Sequence, residues 1–139
     1  LRKSKIDRQL QKLQNTAARI LTRTKTYDHI SPLLKELHWL RVRERIDFKI
    51  LMLTYKCLKD LAPPYLSELL EEYVPSRSLR SESHLNLKVP KTRLKSYGDR
   101  AFCHIAPVLW NDLPLAIKTA SSLDVFKCKL KSHIFSSKY

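Results

Sequence analysis

Between Arg41 and Asp60 the chain runs without a glycine or proline, and its apolar residues fall on two faces of a helix. Val42, Ile46, Ile50, Leu53 and Cys57 form one stripe, and Phe48, Leu51, Tyr55 and Leu58 form the other. A helix that is apolar on two sides needs cover on both, so this segment, about 41–60, is expected at the centre of a helical bundle.

The rest of the chain supplies helices to cover it. From Ser4 to about Thr24, residues Ile6, Leu10, Leu13, Ala17, Ile20 and Leu21 recur at spacings of three and four. Ser31-Pro32 reads as a helix start, and Leu33, Leu34 and Leu37 carry a short helix to about His38. Pro63-Pro64 ends the central helix, and Tyr65, Leu66, Leu69 and Leu70 read as a fourth before Pro75. The serine-rich stretch Ser76 to His84 has no period and reads as a loop. Leu85, Leu87 and Val89 alternate with polar residues, which leaves room for a small β-hairpin near 85–97. Phe102, Ile105, Ala106, Leu109 and Trp110 then return to helical spacing around Pro107, and a last helix begins near Ser122. The expectation is a mainly α fold of five to seven helices in one irregular bundle. It is a single domain over 1–139, with a thumb-like helical half over 1–75, the loop and hairpin over 76–97, and C-terminal helices over 98–139.

Charge indicates the partner. The 139 residues carry 27 Lys+Arg against 13 Asp+Glu, a net charge of +14, while a 43% hydrophobic content rules out a disordered polyelectrolyte. A folded basic domain attracts polyanions, with nucleic acid ahead of anionic membrane. The longest apolar run, Ile50 to Leu53, is far short of the ~20 residues that span a bilayer, so no membrane partner is expected. Cys57, Cys103 and Cys128 fit neither a disulfide framework nor a zinc half-site, which points to a reducing nucleus or cytoplasm. The leucine start, in place of methionine, suggests a fragment of a longer reading frame.

Two basic groups are candidate sites. At about 100° per residue, Lys5, Arg8, Lys12, Arg19 and Arg23 form one stripe on the first helix, about 135° from the centre of its apolar face. If that face packs inward, all five cations point out toward a phosphate backbone. A merely solvated face is the common fate of such a run, but Asp7 is the helix's one acidic residue, so compensating pairs are missing. The second group comprises Arg77, Arg80, Lys88, Lys91, Arg93, Lys95 and Arg100, with His84 and Tyr97 near enough to stack on bases. Here a solubilised loop is an equal alternative. Trp39, Trp110, Phe48 and Phe102 sit among leucines and read as core.

An ordered series of blocks carries a family resemblance: Leu13-Gln14-Asn15-Thr16-Ala17-Ala18-Arg19-Ile20-Leu21, Tyr27-Asp28-His29-Ile30-Ser31-Pro32-Leu33-Leu34, Leu37-His38-Trp39-Leu40 and Arg45-Ile46-Asp47-Phe48-Lys49-Ile50. It continues with Ala62-Pro63-Pro64-Tyr65, Pro75-Ser76-Arg77-Ser78-Leu79-Arg80-Ser81, Pro90 to Phe102, Ala106-Pro107-Val108-Leu109-Trp110-Asn111-Asp112-Leu113-Pro114 and Phe126-Lys127. Over nearly the whole chain this resembles the C-terminal, thumb and post-catalytic region of LINE-type (non-LTR, jockey-like) retrotransposon reverse transcriptases.

The resemblance implies a parent RNA-directed DNA polymerase and endonuclease using Mg²⁺. This region would help hold template RNA, DNA or an RNA–DNA hybrid beside the parent's catalytic domain. The fragment itself is expected to be no enzyme and to hold no cofactor. A two-metal polymerase site needs paired aspartates, and Asp7, Asp28, Asp47, Asp60, Asp99, Asp112 and Asp124 are scattered at capping and ion-pair positions. Adjacent Cys103-His104 lacks further ligands for a zinc knuckle, and Gly98, the only glycine, excludes a Gly-rich phosphate loop. The alternatives are a purely structural module packing on the reverse transcriptase core, or a host-adapted interaction protein from a decayed element.

Overall fold

A computed structural model of the chain describes residues 5–75, 85–93 and 98–138. The fold is mainly α, as expected. Among the described residues there are seven helices: α1 (Lys5–Thr22), α2 (Ile30–Glu36), α3 (Val42–Leu58), α4 (Pro64–Ser67), α5 (Phe102–Asn111), α6 (Leu115–Lys118) and α7 (Leu123–Lys138). The loop expected at Ser76–His84 lies outside the described residues. The chain divides into two compact units, Leu1–Phe48 with Lys131–Tyr139 and Lys49–Leu130. Both boundaries fall inside helices, α3 and α7.

One glycine in 139 residues forces an unusual way of ending helices. The left-handed residue that closes a helix is commonly glycine, yet Arg23, His38 and Asp60 take φ of 52°, 53° and 53° at the ends of α1, α2 and α3. Each closure is complete. The Thr24 amide donates to Arg19 O at 3.1 Å, Trp39 to Leu34 O at 2.8 Å and Leu61 to Lys56 O at 2.8 Å. Gly98 is used for space instead, because a Cβ there would lie 2.6 Å from Thr92 Cβ while the Thr92 hydroxyl donates to Asp99 Oδ1 at 2.7 Å.

In the first unit the packing of α1 departs from its sequence pattern. Of its residues Ala18 alone is buried, and the expected inward face is outside: Ile6 is 63% exposed, Leu13 68% and Ile20 72%. The face turned inward carries Gln11, Gln14 and Ala18. Val42, the first residue of α3, donates its N–H to Gln11 Oε1 at 2.9 Å, and Gln14 Nε2 donates to Leu40 O at 2.8 Å. Those backbone groups would otherwise be left without partners at a helix start, which is why amides displace leucines from this interface. Leu33, Leu34, Leu40 and Ile134 are the unit's buried aliphatics. Ser31 does not cap α2; that position is His29, without a side-chain bond, and the Ser31 hydroxyl accepts from Arg41 Nη2 at 2.7 Å.

The second unit has an aromatic centre. Tyr55 stacks on Phe126 with centroids 4.3 Å apart, Trp110 lies 6.0 Å from Phe126, and all three are nearly inaccessible. Tyr55 Oη donates to Ala120 O at 2.9 Å, and Trp110 Nε1 donates to Leu85 O at 2.9 Å. The core reading holds for Trp110, whereas Trp39, Phe48 and Phe102 are half-buried.

Of the hairpin expected near 85–97, residues 94–97 lie outside the described residues. The alternation at Leu85, Leu87 and Val89 is an extended segment, but its partner is the stretch after α4, through a single antiparallel bridge between Glu72 and Leu87. Tyr73 N–H donates to Asn86 O at 2.9 Å and Lys88 N–H to Glu71 O at 2.8 Å. On the other side Asn111 acts as a one-residue strand, its Oδ1 accepting Leu87 N–H and its Nδ2 donating to Leu87 O, both at 2.8 Å. No period-two pattern announces a pairing made by one side-chain amide. Asn111→Ala strands both groups of the buried Leu87 and is expected to cost about 2–4 kcal/mol, at roughly 1–2 per unsatisfied group, in urea unfolding followed by circular dichroism. Asn111→Asp should recover only the Leu87 N–H bond.

Candidate nucleic-acid interface

The basic stripe of α1 exists as a surface. Lys5, Arg8, Lys12 and Arg23 are exposed, and none forms an ion pair with a described residue. Lys5, Arg8 and Lys12 lie along about 10 Å of α1 at 1.5 Å rise per residue, whereas Arg23, expected on the same helical stripe, falls just past the end of α1 at φ 52°.

Arg19 shares the stripe but is otherwise occupied. Its guanidinium donates to Lys25 O at 2.6 Å and to Asp28 O at 2.9 Å, while Asp28 Oδ2 accepts the Lys25 N–H at 3.2 Å. Two cross-links thus shape the turn after α1, and that turn presents Tyr27, 75% exposed, with Lys25 Nζ 5.7 Å from the ring centroid. An aromatic ring next to an exposed cation is the pairing that stacks on an unpaired base while holding its phosphate. Sequence reasoning passed over Tyr27 and Lys25. The available signal was an aromatic residue between Lys25 and a turn-forming Asp28, without apolar neighbours to call it into a core.

The second basic group is placed only in part. Arg93 and Arg100 are exposed, as is Lys91, and Lys88 is bound to Glu71 Oε2 at 2.6 Å. Arg77, Arg80, Lys95, His84 and Tyr97 lie outside the described residues. Two of the scattered aspartates form ion pairs, Asp47 with Arg43 at 3.5 Å and Asp124 with Lys127 at 2.9 Å. Cys103 is half-buried, His104 Nε2 sits 3.9 Å from Asp99 Oδ1, and among the described residues no three His, Cys, Asp or Glu side chains gather as metal ligands.

One lysine is buried rather than displayed. Lys118 Nζ donates to Asn86 Oδ1 at 3.0 Å beside a cavity of about 200 Å³ lined in part by Tyr55, Tyr73 and Trp110. Burial pushes its pKa down, and the negative charge of Asp112 offsets part of that shift. A folded-state pKa below the unfolded value means that the unfolded chain binds more protons between the two. Stability therefore rises with pH through that alkaline window. Lys118→Met should flatten this rise when urea midpoints are compared at several pH values from 8 to about 10.5; an unchanged profile would show that the ammonium is not penalised.

Among the described residues no helix is long and apolar enough to cross a membrane. Comparison with known proteins gives no match: no family model, no curated protein and no solved structure is significantly similar to the chain.

Proposed function

We propose that the chain binds nucleic acid through its first unit. Lys5, Arg8, Lys12 and Arg23 would lie along a phosphate backbone, with Tyr27 and Lys25 engaging an unpaired nucleotide beyond the end of α1. The observation that carries this reading is the set of exposed cations Lys5, Arg8 and Lys12 on one face of α1, with Arg23 just past its end, none with an acidic partner among the described residues. Solvated charge runs ordinarily interleave acidic residues, and here Asp7 is the only one on α1.

Together with the ordered sequence blocks, this supports a place in the C-terminal region of a LINE-type reverse transcriptase, in the nucleus or cytoplasm. There it would hold RNA, DNA or their hybrid for target-primed synthesis, beside a catalytic domain that supplies the Mg²⁺-dependent chemistry. The test is the affinity of the full chain for labelled single-stranded RNA and for an RNA–DNA hybrid as a function of salt. Five contacts, from Lys5, Arg8, Lys12, Arg23 and Lys25, should contribute about −3.5 to the slope of log affinity against log salt on a single strand, at roughly −0.7 each. A weak, salt-independent affinity would favour a structural module packing on the polymerase core.

A further inference from the structure

The cavity of about 200 Å³ in the second unit has walls of two kinds. Tyr55, Tyr73 and Trp110 line it with rings, and Lys118 and Asn86 line it with polar groups. Two of the rings have their polar atoms committed elsewhere: Tyr55 Oη donates to Ala120 O and Trp110 Nε1 to Leu85 O, both at 2.9 Å. What these rings offer an occupant is therefore carbon surface. The polar wall is set by Lys118, 4% exposed, whose Nζ donates to Asn86 Oδ1 at 3.0 Å and to Asn111 O at 3.4 Å, both neutral acceptors. An ammonium only donates, so the Asn86 oxygen must face it, and the amide's Nδ2 supplies a further donor in the same wall.

We propose that this cavity binds a small, single-ring aromatic carboxylate, its ring against Tyr55, Tyr73 and Trp110 and its carboxylate on Lys118 Nζ and Asn86 Nδ2. Volume limits the occupant to one ring with a short substituent, since a cavity of about 150 Å³ already accommodates benzene. Charge selects an anion. Among the lining side chains Lys59 and Glu72, both exposed, are of opposite sign, and Lys118 leaves the lining one positive charge in excess. Burial of that cation is unfavourable, as its lowered pKa reflects, and the charge of Asp112 offsets only part of the cost. A carboxylate offsets more of it through a charge-assisted hydrogen bond, which a neutral nucleobase does not form. Donors from one lysine and one amide match the two oxygens of a carboxylate, whereas a phosphate dianion brings more charge and more acceptors than they satisfy. The rim carries backbone strain of the kind found at ligand clamps: Leu85, which lines the cavity, is held at φ 49° with its carbonyl tied to Trp110. The cavity belongs to the second unit and the proposed nucleic-acid surface to the first, so neither conclusion rests on the other.

Isothermal titration calorimetry of the full chain with sodium benzoate at pH 7, in about 0.3 M NaCl to screen the exposed cations, tests this. The expected result is one site with Kd on the order of 0.1 mM, within the efficiency limits for so small a molecule. Benzyl alcohol, the same ring without the charge, should bind at least tenfold more weakly. Lys118→Met keeps an unbranched apolar stem and should weaken benzoate at least tenfold while leaving benzyl alcohol as it was. Lys49→Met, the same change at an exposed lysine of α3, should leave benzoate affinity unaltered. Tyr73→Ala, at a 51% exposed ring, is the second variant should Lys118→Met perturb folding, and it should weaken both ligands severalfold with the circular dichroism spectrum intact. Absence of binding up to 5 mM benzoate, or benzoate affinity unchanged by Lys118→Met and Tyr73→Ala, would overturn the proposal. So would acetate binding as tightly as benzoate, which would show an anion site indifferent to the ring, or uridine binding more tightly, which would assign the cavity to a nucleobase.

Discussion

Trp110→Ala is expected to remove about 3–5 kcal/mol from the stability of the chain, the range found when a large aromatic is cut from a packed core. Trp110 is 2% exposed, and its ring lies 6.0 Å from Phe126, which in turn stacks on Tyr55. Truncation therefore opens a cavity at the centre of the second unit. It also orphans Leu85 O, the acceptor of the indole N–H, at a residue held at φ 49°. A domain of this size has about 5–15 kcal/mol in total, so the variant should lie near the edge of folding at 37 °C. Trp110→Phe separates the contributions: it keeps most of the ring packing, loses the hydrogen bond and should cost clearly less. Urea unfolding read by circular dichroism measures both, and a midpoint for Trp110→Ala equal to the parent's would place the indole outside the core.

The second large effect is on binding. Changing Lys5, Arg8 and Lys12 together to glutamine removes three charges from the exposed stripe of α1 at nearly constant helix propensity. At roughly −0.7 per phosphate contact the salt slope on a single strand should become shallower by about two units, equivalent to a loss of about a hundredfold in affinity near 0.1 M salt. Arg19 is left out because its guanidinium is committed to Lys25 O and Asp28 O. Arg19→Gln should act indirectly, by loosening the turn that carries Tyr27, and so should lower affinity more on unpaired RNA than on a duplex. A triple variant that binds a labelled RNA–DNA hybrid with the parent's affinity and slope would move the interface away from α1, toward Arg93, Arg100 and their neighbours.

Much of the secondary structure was legible because it depends on local rules. The span of α1 follows from apolar spacing, α3 from an uninterrupted run, and the short α4 from Pro63-Pro64 at its start. The end of the chain was equally readable, with Phe126, Leu130 and Ile134 buried along α7 as their spacing implied. The short helix α6 was not anticipated: four residues after Pro114 are too few to show a period. The stripe itself was legible at Lys5, Arg8 and Lys12, because azimuth around a helix is arithmetic on residue number.

Periodicity says that a helix has two kinds of face but not which face meets the body. For α1 the amphipathic pattern pointed to Ile6, Leu13 and Ile20 as inward, and the fold turned Gln11 and Gln14 inward instead. What decided it was the unsatisfied N–H of Val42 and carbonyl of Leu40 at the entry to α3, groups whose positions exist only once the chain has folded. The same holds for Asn111 clasping Leu87, for Arg19 gripping the turn at Lys25 and Asp28, and for Gly98 kept small by Thr92. Composition and spacing were enough to establish a basic, helical chain with a cationic helix face. Tertiary structure alone decided which apolar face stays in water and which cations stay free, because backbone hydrogen-bond partners and close approaches are set by neighbours distant in sequence.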